Sequence, residues 1–403
     1  MDKVIFEVEI SSNGPRGWET AAVLELPATW ADFHDALQKA RIEDGRFCRN
    51  ELLHIRDSDF PDSVIGQDVD LYDLNFFAQR LAALNDAQGM GMKALLEMER
   101  HDGPIPLSRL IHLTYNTDTC RLMPQLPNDR ELGAFLYENR LLSDEAMALL
   151  DKIEPDSRFQ SRLLVLLGEQ HRQDHGGVFT RWGYAEMEGE MREIDDPEKA
   201  AALHRPDAPV ILEVTKGWSD GLEHDSVLSL PASDDEIRRA IGDVGAASVG
   251  ECTFRCVDCR VPSLREAIDD ENDIRQVNQF ARKLAQKEEE WGEGELVTYK
   301  ALLEASGCVD LQDAIRLMEG LEEYELHPDV IQAWDYAERV LREKYPDLPE
   351  TLFRTDQSAE IGRKLLEDGN AALTEYGLIQ KRDGSPLPCF AEGRTEPVIE
   401  MNL

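Results

Sequence analysis

The sequence has no run of about 18 apolar residues, so it offers no candidate transmembrane helix. It has no Gly-rich phosphate loop, no nucleophile elbow and no cluster of acids with Lys of the nuclease kind, so neither enzymatic activity nor a cofactor is expected. Cysteine is sparse. Seven residues scattered over 403, an odd number, suit reduced thiols better than a disulfide framework. Met1 leads straight into VIFEVEI without the basic and apolar regions of a secretory signal, and a cytoplasmic protein is expected. The largest deficit is in positive charge. Only 12 Lys and 31 Arg stand against 81 Asp and Glu, and the formal charge of −38 argues against direct binding of nucleic acid.

What the chain has instead is acid and apolar residues in quantity. Hydrophobic residues make up 42% of it, enough for packed cores and too many for a disordered chain. At the charge density of duplex DNA, one negative charge per ~1.7 Å, the 38 surplus charges would span about 65 Å, or roughly 19 base pairs. Acidic composition also arises from solubility or salt adaptation, so composition leaves both open and the arrangement has to decide.

The arrangement is a repeat. VLELPAT at Val23 to Thr29 returns as VLSLPAS at Val227 to Ser233, and LNFFAQRLAAL from Leu74 returns as VNQFARKLAQK from Val277. Each copy opens on an expected hairpin, with Gly and Asn or Asp in the loop, followed by a helix that starts at a capping box: Thr29 with Asp32, then Ser233 with Glu236. A third strand follows, ELLHIRD or ECTFRCVD, with Leu53 and Ile55 sharing a face and matched by Phe254 and Cys256. Apolar residues at helical spacing then predict core: Leu71, Leu74, Phe77, Ala78 and Leu81 in one copy, Ile274, Val277, Phe280, Ala281 and Leu284 in the other. KALLE recurs at Lys93 and Lys300, and GEQHRQDHGGVFTRWGY from Gly168 pairs with GRKLLEDGNAALTEYGL from Gly362.

The expected organisation is α+β. The first copy covers 1–184, with an α+β module over 1–66 and helical modules over 67–126 and 127–184. An acidic linker spans 185–208. The second copy covers 209–383, divided at 209–265, 266–328 and 329–383, and an irregular tail takes 384–403.

Two constellations invite a metal. Cys252, Cys256 and Cys259 lie at short spacing, but Cys256 matches the core residue Ile55 and no fourth ligand is evident, so free thiols are expected. His171 and His175 lie four apart, but without the Glu of a metalloprotease helix or His counterparts in the second copy, and surface or packing roles are expected. No metal site is expected from either.

The acids form runs. No base interrupts Asp57, Asp59, Asp62, Asp68, Asp70 and Asp73, and none interrupts Glu319, Glu322, Glu323, Glu325 and Asp329. Further clusters are Glu186, Glu188 and Glu190; Glu266, Asp269, Asp270, Glu271 and Asp273; and Glu288, Glu289, Glu290, Glu293 and Glu295. A charge run is ordinarily a solvated face. These interleave with apolar periodicity, so the carboxylates are expected on rigid elements, where they lose little entropy on meeting a basic groove.

The residues quoted so far resemble the ArdA antirestriction family. The resemblance rests on VLELPAT with its capped helix, DLYDLNFFAQRLAAL, KALLE, LSRLIHLTYNTDTC and GGVFTRWGY, and on VLSLPAS, DIRQVNQFARKLA, KALLE, LQDAIRLMEGLEEYE and NAALTEYGL in the second copy. It covers most of the chain, and its specificity lies in the order of short motifs. It implies an elongated protein of small modules, carried by phages or mobile elements, whose carboxylates imitate DNA phosphates. The implied partner is a type I restriction-modification enzyme, bound at the DNA cleft of its specificity and methyltransferase subunits, with no cofactor and no turnover. Members usually hold one such unit and pair as homodimers, whereas two are fused here, so either a pseudo-dimeric monomer or a homodimer fits. Two alternatives stand beside this reading: a DNA mimic directed at another defence complex such as a CRISPR effector, and an acidic tandem scaffold that binds through ordinary apolar grooves.

Overall fold

The computed structural model describes residues 4–55, 65–99, 104–155, 157–192, 204–217, 225–271 and 273–390, and the fold is α+β. In chain order the elements of the first half are β1 (Phe6–Ser11), β2 (Ala22–Leu26), α1 (Trp30–Lys39), β3 (Arg49–Ile55), α2 (Leu71–Ala82), α3 (Asp86–Met98), α4 (Leu107–Thr114), β4 (Cys120–Pro124), α5 (Asp129–Glu138), α6 (Asp144–Leu150), α7 (Arg158–His175), β5 (Val178–Thr180) and β6 (Gly183–Met187). Those of the second are β7 (Val210–Lys216), β8 (Ser226–Leu230), α8 (Asp234–Asp243), β9 (Cys252–Cys259), α9 (Arg265–Asp270), α10 (Ile274–Glu290), α11 (Glu293–Ser306), α12 (Leu311–Glu319), β10 (Tyr324–His327), α13 (Ala333–Lys344), α14 (Asp356–Glu367), β11 (Ala371–Thr374) and β12 (Gly377–Lys381).

The strands form four three-stranded sheets, ordered β2-β1-β3, β4-β6-β5, β8-β7-β9 and β10-β12-β11. The first and third orders correspond, as do the second and fourth. Helix starts follow local chemistry. Ser233 Oγ accepts the Glu236 N–H while the Glu236 carboxylate takes the Ser233 N–H at 2.7 Å, closing the box before α8. Thr29 caps α1 by accepting the Asp32 N–H at 3.2 Å, and the Asp32 carboxylate accepts the Thr29 hydroxyl at 2.9 Å and Arg265 rather than the Thr29 N–H. The β5–β6 and β11–β12 turns share one device. Thr180 Oγ1 donates to the Gly183 carbonyl and accepts the Trp182 N–H, as Thr374 does with Gly377 and Tyr376. Gly183 and Gly377 sit at φ +135° and +123°, and a Cβ at either would strike the neighbouring strand's backbone carbonyl.

The segments expected to be wholly helical therefore also carry strands: β4 to β6 in one half, β10 to β12 in the other. Each strand is only three to five residues long, too short to show a period of two beside strong helical periodicity. The expected shared face of Leu53 and Ile55 also fails: Ile55 is buried but Leu53 is 48% exposed, and Asn50 takes an inner position instead. In β9, a bulge opposite Ile211 and Leu212 resets the alternation. Residues 185–187, expected in the linker, extend β6, and residues 193–203 lie outside the described residues. The tail up to Phe390 is irregular yet tied down, Leu387 N–H to the Gly369 carbonyl and Phe390 N–H to that of Ser306.

Packing divides the chain into two units. The first comprises Met1–Glu9, Glu25–Pro27 and Gly45–Ala202; the second comprises Ile10–Leu24, Ala28–Asp44 and Leu203–Leu403. This division differs from the one suggested by repetition, because α1 is counted with the second unit. In the first unit Leu71, Leu74, Phe77 and Ala78 are sealed from solvent while Leu81 stays half-exposed, and Met123, Leu126, Leu132, Leu136 and Tyr184 form a separate cluster. In the second, Val210, Leu212, Phe280, Leu284, Tyr299, Leu302 and Ile379 belong to one continuous core. Each large apolar side chain so buried contributes about 1.5–3 kcal/mol.

Candidate acidic partner-binding surface

Pairing every Lys and Arg with an acid would still leave 38 carboxylates over, so the excess has to be accommodated somewhere. Asp57, Asp59 and Asp62 lie outside the described residues, and the side chains of Asp270 and Glu293 are likewise outside them. In the first unit Asp70 caps α2, accepting the N–H groups of Tyr72 and Asp73. Asp68, at φ +54°, accepts the Asn50 N–H at 3.1 Å. Asp73 is half-buried in the first turn of α2, Glu188 is exposed and pairs with Arg121 at 3.1 Å, and Glu190 is exposed. Glu186 departs from expectation: it is only 5% exposed and its Oε2 lies 2.8 Å from His171 Nε2, so it is not part of an exposed surface.

In the second unit several acids are fixed by backbone N–H groups. Asp273 caps α10 by accepting the Arg275 N–H at 3.0 Å, Glu271 accepts from Asp273 at 2.9 Å, and Glu295 accepts the Gly292 N–H at 3.0 Å. The Asp269 carboxylate takes the Cys256 N–H. A carboxylate held in this way loses little rotamer freedom on binding and adds favourable charge at a helix N-terminus. Others are already neutralised: Glu319 by Lys283 at 3.0 Å, Glu323 by Lys381 at 3.1 Å and Glu290 by Lys287 at 2.9 Å. Glu288 is mostly buried between Arg205 and Arg260, 3.0 Å from each, and so presents little free charge. Glu266, Glu289, Glu322 and Asp329 are exposed and make no ion pair among the described residues.

The acids approach one another most usefully after α12, where Glu319, Glu322, Glu323 and Glu325 follow within seven residues on the helix end, a 3-10 turn and β10. Two of them, Glu322 and Glu325, join Glu295 on the rim of a cleft of about 710 Å³ whose floor is apolar, Trp291, Val297, Leu321, Tyr324 and Leu326. Arg382 is the one basic residue lining it among the described residues, and its guanidinium donates to the Glu322 carbonyl while its backbone N–H donates to that of Glu323. An apolar floor with a carboxylate rim suits an extended basic side chain: the stem buries and the charge meets the rim.

A second cluster, not anticipated from the sequence, lies in the core of the second unit. Asp35 on α1 accepts from Lys300 Nζ at 2.7 Å and the Tyr376 hydroxyl at 2.7 Å, with Lys39 Nζ at 3.3 Å from its other oxygen. Lys300 also reaches Gln38 at 2.9 Å. Burial would push the Asp35 carboxyl up, but the charges of Lys300 and Lys39 and the hydrogen bonds outweigh it and hold it below the usual range. Beside it His34 is driven down to about 4, first by burial and then by Lys300, Arg260 and Arg205. Lys300 belongs to the recurring KALLE, and its position in an apolar stretch was the only sequence signal for this node. The node is fully satisfied and sealed, so its role is to hold α1 in place.

Cys256 and Cys259 are buried and free, as expected, and the hydrogen bond with Cys259, followed by burial, pushes the Cys256 thiol up. No helix of the described residues is long and apolar enough to cross a membrane. Comparison of the chain with family models, with curated proteins and with solved structures found no match.

Proposed function

We propose that this chain is a DNA-mimicking inhibitor similar to the ArdA antirestriction proteins, which occupies the DNA-binding cleft of a type I restriction-modification enzyme and turns nothing over. The observation that carries the reading is the surplus of 38 carboxylates together with their local fixation: Asp70, Asp273 and Glu295 are pinned by helix N-terminal N–H groups rather than left on free side chains. Arg and Lys arranged for phosphates would meet these groups at low entropic cost, with counterion release on both sides. The corresponding order of elements and sheets in the two halves supports a duplicated unit in which one chain does the work of a pair.

Affinity for the purified enzyme, measured against competing duplex across a salt series, tests the reading. Log affinity should fall steeply with log salt, as the attraction between the carboxylate surface and a basic cleft is screened. Reversal of Glu322 and Glu325 to Lys should cost tenfold or more, because like charges brought together across an interface cost several kcal/mol. Reversal of Glu319 and Glu323, already engaged by Lys283 and Lys381, should cost less.

The apolar floor of the Glu295–Glu322–Glu325 cleft favours a second reading, an acidic scaffold that takes an apolar segment of a partner in that groove. For that protein, salt would matter little and Leu326→Ala would matter more than either charge reversal.

A further inference from the structure

In the first unit, α7 places His171 and His175 one turn apart with their rings stacked at 4.0 Å between centroids. The His175 Nδ1–H donates to the His171 carbonyl at 2.9 Å, which fixes the ring and leaves Nε2 as its free donor atom. Across from the helix, β6 supplies Glu186, buried and 2.8 Å from His171 Nε2. One ligand atom from each of the three lies within 4.8 Å of the other two. Tetrahedral zinc with bonds of about 2.1 Å needs its donors about 3.4 Å apart, so small side-chain rotations close the set.

A separate observation points to the same place. Tyr184, two residues before Glu186 on β6, is completely buried, and its hydroxyl makes no well-aligned hydrogen bond among the described residues, while burial and the neighbouring Glu186 carboxylate push the phenol up. Its ring is 6.1 Å from that of His171. A sealed hydroxyl with only a poorly aligned carboxylate beside it forfeits part of the about 1–3 kcal/mol that a satisfied one retains, and a bridging water would restore it. The second unit shows that the scaffold does not need this polarity. When α14 and β12 are aligned to α7 and β6 on Gly362 and Gly377, the positions of His171, Tyr184 and Glu186 hold Leu365, Leu378 and Gln380, and Leu378 belongs to an apolar cluster. The first unit thus replaces ordinary packing by two imidazoles, a carboxylate and a phenol.

We propose that His171, His175 and Glu186 form a binding site for a zinc-class divalent cation, with a water in the fourth position that hydrogen-bonds the Tyr184 hydroxyl. The donor set, two nitrogens and a carboxylate oxygen, is one zinc accepts readily, and it is a poor match for magnesium or calcium, which take oxygen. Bound there, the ion ties the C-terminal end of α7 to the β4-β6-β5 sheet.

The test is calorimetric titration of the full chain with zinc chloride at neutral pH, paired with cobalt(II) absorption spectra. One ion per chain is expected, with tetrahedral cobalt bands and no thiolate charge-transfer band, and with a rise in melting temperature. His175→Ala, at an exposed helix end where folding is not at risk, should weaken binding at least tenfold and abolish the temperature rise; Glu186→Gln should do the same. Absence of stoichiometric binding would overturn the proposal. So would binding that persists in His175→Ala, or a thiolate band assigning the ion to the seven cysteines.

Discussion

Replacing Lys300 by Met removes the ammonium from a node whose two charged side chains are only 4% and 8% exposed, so solvent screening does not soften the loss. Removing one partner of a buried pair typically costs 3–5 kcal/mol. Here Asp35 keeps the Tyr376 hydroxyl at 2.7 Å and Lys39 at 3.3 Å, which places Lys300→Met near about 3 kcal/mol. Asp35→Leu is worse, about 4–5 kcal/mol, because Lys300 then has only the Gln38 amide oxygen. The double variant leaves no buried charge in the pair, and its main remaining defect is the unpaired Tyr376 hydroxyl, worth about 1–3 kcal/mol. It should therefore be more stable than either single variant. Urea unfolding reads this directly: with a slope near 3 kcal/mol per molar, Lys300→Met should shift the midpoint by about 1 M. A double variant that loses the sum of the two single losses would refute the reasoning, since it would mean the groups do not interact. Acid gives a second check. The folded-state pKa of Asp35 lies below the ordinary carboxylate value, so the node's contribution is complete above the unfolded value of about 3.9 and is lost as pH falls through the folded one. Lys300→Met should flatten that part of the acid-unfolding curve.

Other outcomes follow from the same geometry. Gly168→Ala and Gly362→Ala should each destabilise by about 1–3 kcal/mol in thermal melts, because the added methyl meets the backbone carbonyl of Asp129 or Ala333 on the partner helix. Gly89→Ala, which meets nothing within 4 Å on α3, should instead stabilise by about 0.5–1 kcal/mol. His34 should titrate near 4 by NMR, and because the unfolded imidazole binds its proton near 6.5, stability should decline as pH falls from about 6.5 toward 4. Arg16→Ala should leave the Asp335 carboxylate, which Arg16 contacts at 2.7 and 3.0 Å, with only the Ile331 and Gln332 N–H groups, and lower the melting temperature of the second unit.

What was readable in the sequence was local. The caps at Thr29 and Ser233 involve residues within a few positions of one another, and the α2 and α10 cores follow from spacing alone. What was not readable depends on distant partners. Asp35 and Lys300 are separated by 265 positions, and neither residue alone signals burial. Glu186 reads as one more member of an acidic cluster because His171, which makes it different, comes from another element, α7, and the strand that pairs it with Tyr184 is too short to show in the sequence. Glu288 was misjudged for the same reason, its two Arg partners being unrecognisable as such from sequence.

The placement of α1 among second-unit residues bears on synthesis. At roughly 5–20 residues per second, the 265 positions separating Asp35 from Lys300 amount to about 13–53 s of translation. For most of that interval α1 stands outside the ribosome while Lys300 and Tyr376, the partners of its buried Asp35, are still untranslated. A nascent chain of this protein therefore carries an unfinished helix for most of its production, and ribosome stalling before Lys300 would release a product that cannot settle its own N-terminal segment.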